Sequence, residues 1–398
     1  MDCSIFKDDN NSEKVAIICV GYNRLNGLKR LIDSLQQANY PCENIPLIIS
    51  IDCSGDEELY KYVRDIVWPF GKKYVNIENK RLGLKKHILQ CGDLSEYFKA
   101  VIILEDDLYV SPSFYDYTIE VINSYKESDI IAGFSLYAPE LNGFVGLPFT
   151  PLQNGSDVYL AQDVPTWGEC FTYAQWRKFK KWYTNFKEED ILATNMPNQI
   201  KLWNKAWSKY FYTYVVNNNK YFIYPYNSYT TNFSDAGVHG LGSNDVQVSL
   251  LLKKRRALIC LEEDNLIRYD VYQNNEYLYD ILNLSKDEVT IDLYANTYPF
   301  DKKKYLLTTR ILNFKIIKSY GLRFRPIELN IIQDISGDDI YLYNTSIKEK
   351  NYRHNNYVLT DYYLKGFNKK ILLNYATYIV SNKIKTKLKS IYKKCGIN

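Results

Sequence analysis

No run of apolar residues in this chain approaches the roughly 18 that a membrane-spanning helix needs. The start, Met1-Asp2-Cys3-Ser4 with acids at Asp8 and Asp9, lacks the basic opening and apolar centre of a secretion signal. The eight cysteines are scattered, with no Cys-x-x-Cys and no Cys/His cluster. Reduced core thiols are therefore expected, not disulfides or zinc ligands, and a cytoplasmic location with them. Histidine is scarce, at His87, His239 and His354 alone. There is no Gly-x-Gly-x-x-Gly after the first apolar run, no Gly-x-x-x-x-Gly-Lys-Ser/Thr and no Gly-x-Ser-x-Gly. These absences disfavour dinucleotide oxidoreductases, P-loop NTPases and α/β-hydrolases.

What is present is an ordinary folded composition, 46% apolar and 24% charged over 398 residues, too apolar for disorder. Roughly 150 residues per domain gives two or three domains. The 38 tyrosines are spread along the whole chain, which reads as compositional bias and not as a stacking platform. The net charge of +4 hides an asymmetry. Nine lysines and no acid follow Asp361, so residues 1–361 carry −5 and the tail is basic.

The first part alternates regularly. Val15 to Val20 is a short apolar run that reads as a buried strand, followed by the turn Gly21-Tyr22-Asn23-Arg24. Leu28, Leu31, Ile32 and Leu35 then recur at the spacing of one helix face. Pro46 to Ile51 is a second strand ending at Asp52, and Ser54 to Val67 a helix capped by Ser54 or Asp56. Tyr74 to Ile77 is a third strand and Leu82 to Leu89 a helix. Ala100 to Leu104 is the clearest buried strand, with Glu105-Asp106-Asp107 directly after it. Ser111-Pro112-Ser113 is expected to open a helix with Pro near its first position, and Ile130 to Leu136 to be a strand. This order implies a mostly parallel, doubly wound α/β sheet, in which ligands bind at the carboxyl ends of the strands. Asn23-Arg24, Asp52 and Glu105-Asp106-Asp107 all stand at such ends and are expected to converge on one crevice. Residues 140–165, rich in Gly, Pro, Asn and Asp, read as a long functional loop. A Trp-rich stretch follows, then a strand over Tyr221–Tyr224 leading to Asn232 and Asp235-Ala236-Gly237-Val238-His239.

Three consecutive acids at a strand end repel one another unless a cation compensates them. A hard divalent ion, Mg²⁺ or Mn²⁺, suits carboxylate oxygen and commonly shares its shell with substrate phosphates.

These residues carry a resemblance. The stretches Ile48 to Gly55 and Ile102 to Phe114, and more loosely Trp167-Gly168 and Asn232 to His239, resemble a glycosyltransferase of the GT-A fold. The likeness is to the N-acetylglucosaminyltransferase I type and to bacterial, family 2-like sugar transferases of surface polysaccharides. It spans about residues 14–250. It implies that Asn23 and Arg24 lie by the nucleotide, Asp52 accepts from the uracil ring, and Glu105 and Asp106 face the ribose and donor sugar. Asp107, with His239, would hold Mn²⁺ or Mg²⁺ bridging the phosphates of a UDP-sugar. Trp167 would pack on the sugar. Enzymes of this type place the catalytic base on an acid near a Trp pair. Here that neighbourhood is Trp203-Asn204-Lys205-Ala206-Trp207, without an acid, leaving Glu169 and Asp235 as candidates.

The resulting expectation is a catalytic domain over 1–262 and an accessory region over 263–398. The reaction that the resemblance implies is transfer of a sugar, with inversion, to a glycan or lipid-linked glycan in capsule or lipopolysaccharide biosynthesis. The basic segment 365–398 would touch an anionic membrane from the cytoplasmic side. No nucleic-acid-binding motif is present. Two other readings remain open, a nucleotidyltransferase acting on sugar phosphates and a non-catalytic, membrane-associated scaffold of a polysaccharide assembly complex.

Overall fold

The computed structural model describes residues 6, 11–41, 43–204, 206–235, 247–253, 256–300, 302–352 and 357–394. Its first part alternates as expected: β1 (Val15–Gly21), α1 (Leu25–Gln36), β2 (Leu47–Ile51), α2 (Glu57–Asp65), β3 (Lys73–Ile77), α3 (Leu84–Asp93) and β4 (Ala100–Glu105). β5 (Leu108–Val110), α4 (Phe114–Tyr125) and β6 (Ile131–Ser135) follow. Every residue of β1 and β2 is buried, as continuous apolar strands covered on both faces must be. α1 turns Leu28, Leu31, Ile32 and Leu35 inward. α2 starts where the Asp56 carboxylate accepts from the Leu59 amide at 3.0 Å, with Glu57 and Glu58 favourably placed in its first turn. α4 begins at Phe114, two residues past the proline expected near its first position. Pro112 lies outside the helix, because Ser111 Oγ takes the Ser113 amide and holds that turn apart from the helical ladder.

A short ribbon, β7 (Leu141–Asn142) with β8 (Leu147–Pro148), lies in the long loop. Then come β9 (Val158–Ala161), β10 (Glu169–Thr172), α5 (Tyr173–Thr184), α6 (Glu188–Ala193), α7 (Asn198–Lys201), α8 (Ser208–Asn217), β11 (Tyr221–Pro225) and β12 (Thr230–Asn232). α5 opens on a reciprocal capping box between Thr172 and Gln175. The last part holds β13 (Arg268–Tyr269), α9 (Leu278–Leu282), β14 (Val289–Asp292), β15 (Tyr305–Thr308), β16 (Phe314–Tyr320), α10 (Leu329–Ile332), β17 (Ile340–Lys348), α11 (Val358–Leu364) and α12 (Lys369–Lys394).

The large sheet has nine strands in the order β13-β9-β11-β6-β10-β4-β1-β2-β3. Five of its eight pairings are parallel, giving the mostly parallel α/β fold read from the sequence. β10 runs antiparallel between β4 and β6, so its first residue, Glu169, sits beside the end of β4. One apolar core fills each face of the sheet. A four-stranded sheet, β14-β15-β17-β16, packs Val289, Ile291, Leu307 and Leu342 into the first of these cores. The 262/263 boundary drawn from the sequence therefore precedes a strand, β13, that still belongs to the large sheet. No helix among the described residues is long and apolar enough to cross a membrane.

The turn after β13 makes one prediction. Asp270 Oδ1 accepts from the amides of Tyr272 (2.9 Å) and Asn274 (2.8 Å), and burial raises its pKa to about 7. The folded form then keeps a proton that the unfolded chain loses at about pH 4. Stability from this group falls as pH rises through that window, by at most about 1.4 kcal/mol per pH unit. Asp270→Asn should flatten the slope in urea unfolding between about pH 4 and 7, and an unchanged slope would remove Asp270 from the account.

Candidate functional site

The turn after β1 and the acids after β4 meet. Arg24, at the start of α1, donates from one guanidinium nitrogen to Asp107 Oδ2 at 2.9 Å and from the other to Asp106 Oδ1. The Tyr22 amide reaches Asp106 Oδ2 at 3.5 Å. α1 packs closely here. A Cβ on Gly27 would stand 2.4 Å from the Asp106 carbonyl oxygen, so only glycine allows the approach.

Burial raises Asp106 to about 6, against the opposing pull of Arg24. Glu105 is raised to about 8, first by burial and then by Asp107 and Asp106. Burial disfavours the charge on Arg24, yet its two carboxylate partners raise its pKa. Glu169 is fully buried in β10, and its Oε1 has no hydrogen-bond partner. Burial, reinforced by Glu105, raises its pKa well above the usual carboxylate range. Three acids, Glu105, Asp106 and Asp107, stand in the turn with Arg24 as the cation paired with two of them. Among the described residues, no group of three His, Cys, Asp or Glu side chains is arranged to hold a metal ion.

The other residues singled out in the sequence are spread around this turn. Asn23 is exposed. Asp52 is buried, and its carboxylate is taken by backbone: Oδ1 accepts from Cys53 and Leu82, and Oδ2 from Gly83, at 2.8–2.9 Å. It anchors the loop between β3 and α3. Asp235 pairs with Arg30 of α1, whose guanidinium lies 3.8 Å from the Phe233 ring centre. The strand pair β5–β12 ties the acidic turn to this segment, and the Phe233 amide donates to the Asp107 carbonyl at 2.9 Å. His239 lies outside the described residues.

A cavity of about 990 Å³ opens beside Glu105 and Asp107. Trp167 lines it, its ring 4.8 Å from that of Tyr137. The far wall comes from Trp203, Asn204 and Trp207 before α8, Tyr212 within it, and Tyr224 of β11. Asp163, just beyond β9, also faces the cavity. The sequence reading passed over Asp163, because a single Asp in a loop rich in Asp, Asn and Gly carries no local mark. Its proximity to Pro165-Thr166-Trp167 was the available signal.

No protein-family model and no curated protein matches the sequence. Among solved structures, the chain is similar to S. aureus TarS in complex with UDP, at 16% identity and a TM-score of 0.38, over 55% of this chain and 59% of that one. It is also similar to S. aureus TarS in complex with UDP-GlcNAc, at 15% identity and a TM-score of 0.38, over 57% and 60%. The chain thus spans about three fifths of the length of those structures. Overlap at that level assigns no ligand to this protein.

Proposed function

We propose that the protein is a GT-A-type glycosyltransferase that moves a sugar from a UDP-sugar to a hydroxyl of a glycan. The supporting observation is the cavity itself, which is lined both by Glu105 and Asp107 at the end of β4 and by several Trp and Tyr side chains. With a divalent cation between them, carboxylates lining a cleft can hold an anionic diphosphate, and aromatic side chains beside them suit a pyranose ring. Arg24 orients the acidic turn, and Asp52 shapes the nucleotide end of the crevice through the 82–83 backbone it holds.

The donor set fits a hard divalent cation. Glu105 and Asp107 both line the cavity, and the three acids of the turn outnumber Arg24, the cation paired with two of them. One or two carboxylates plus substrate phosphates is a usual shell for Mg²⁺, so a three-residue protein cluster is not required. Asp107 would hold Mn²⁺ or Mg²⁺, which when bound offsets the charge gathering on a departing diphosphate.

The acceptor is proposed to be a growing surface polysaccharide. α12 presents Lys369, Lys370, Lys383, Lys385 and Lys387 together with exposed Ile371, Leu373, Tyr375 and Val380. That combination suits an anionic membrane carrying a lipid-linked glycan.

The test is calorimetric titration of UDP into the protein with Mn²⁺ and with EDTA. Binding that depends on the metal is the expected result. No binding in either condition, with the protein shown to be folded, would sink the reading.

A further inference from the structure

We infer that Asp163 is the proton acceptor of the transfer and that the aromatic side of the cavity seats the acceptor sugar. This rests on the glycosyl-transfer reading above.

Among the described residues, the cavity is lined by three carboxylates, Glu105, Asp107 and Asp163. The first two belong to the acidic turn, where charge is already crowded and a donor diphosphate would lie. Asp163 stands apart from that turn and contacts Tyr212 of the aromatic wall. The two acids picked out in the sequence are poorly placed for the role. Glu169 is fully buried in β10 and absent from the lining, and Asp235 is paired with Arg30 outside it. Among the described residues of the Trp203–Trp207 segment, the cavity is lined by Asn204, whose amide does not accept a proton at neutral pH.

Asp163 is also held as a base should be. Its Oδ1 accepts from the Tyr212 hydroxyl and, at 3.0 Å, from the Val164 amide, and the Gln273 side chain also hydrogen-bonds the carboxylate. The groups that face it electrostatically are phenols: Tyr137 before the β7–β8 ribbon, Tyr159 on β9, Tyr212 on α8 and Tyr224 on β11, all with raised pKa values and so neutral. Burial raises the Asp163 pKa against the hydrogen bonds from Tyr212, Val164 and Gln273. A carboxylate moved toward neutrality is a stronger base than an ordinary Asp. Trp167 and Trp203 line the same cavity, and indole rings suit the apolar face of a pyranose.

The step balances. The acceptor hydroxyl oxygen forms a bond to the donor's anomeric carbon, and the carbon–oxygen bond to the diphosphate breaks with its electron pair on UDP. The hydroxyl proton passes to Asp163 and then to water.

Asp163→Asn keeps the shape and an oxygen for Tyr212 and Val164, but cannot take a proton. The assay is UDP release from UDP-GlcNAc, UDP-glucose and UDP-galactose with water as acceptor, alongside UDP calorimetry. The expected result is a fall in release rate of at least about 100-fold with UDP affinity retained. Tyr212→Phe removes a bond that favours the charged carboxylate, so it should move the acid limb of the rate profile to higher pH. An unchanged rate in Asp163→Asn overturns the assignment. Lost UDP binding in that variant, with the Tyr212→Phe profile unmoved, overturns it too and makes Asp163 a structural anchor. Wild-type protein that binds UDP but releases none from any donor overturns the base alone. Wild-type protein that binds no UDP overturns the glycosyl-transfer reading and the base with it.

Discussion

Asp107→Ala is expected to abolish the metal-dependent part of UDP binding, weakening it by more than about 100-fold, or about 3 kcal/mol. Asp107 lines the cavity with Glu105, and its remaining protein partner is Arg24, which also holds Asp106. The variant therefore keeps the more deeply buried ion pair. Its side chain is partly exposed, so the cost to folding should stay within about 1 kcal/mol. Calorimetry in Mn²⁺ and in EDTA, with thermal unfolding alongside, separates the two effects. Equal UDP affinity in wild type and variant, with Mn²⁺ present, would remove Asp107 from the donor site.

Arg24→Met should be the most damaging single change to stability, at about 3 kcal/mol. It leaves Asp106, whose side chain is only 4% exposed, without its counter-charge in a place where burial already opposes ionisation. Asp106 then takes up a proton more readily in the folded state than in the unfolded chain. Protonation favours the folded form, so the loss should be smaller at about pH 5 than at about pH 8. Adding Asp106→Asn to Arg24→Met should recover part of it, and the double-mutant cycle would measure the coupling. A loss below about 0.5 kcal/mol, independent of pH, would mean that the pair is effectively solvated.

The alternation of strands and helices up to β6 was legible because each element carries its own period. β1, β2 and β4 are short, mostly apolar runs, and α1 repeats its leucines at helical spacing. The acids after β4 were legible for the same reason, as a sudden change from apolar to charged. What those residues touch was not. Asp52 looks free in sequence, and its partners at 82–83 arrive only when β2 and β3 pair. Glu169 looks like an exposed acid beside Gly168. Its burial follows from β10 inserting antiparallel between β4 and β6, which no local pattern announces. The aromatic residues read as one Trp-rich stretch are divided by the fold. Trp176 lies in the core, while Trp167, Trp203 and Trp207 line the cavity.

α1 bears on two places that lie far apart along the chain. Its first turn grips the acids after β4 through Arg24, and one face further along grips Asp235 and Phe233 through Arg30. The β5–β12 ribbon closes the same circuit from the other side. The spacing between the acidic turn and the segment after β12 is thus gauged by one short rod, and positional error does not accumulate through the intervening chain. Insertions in the long loop between β6 and β9 can therefore change length without altering that tolerance, whereas a one-residue insertion in α1 between Arg24 and Arg30 would rotate the two grips out of register.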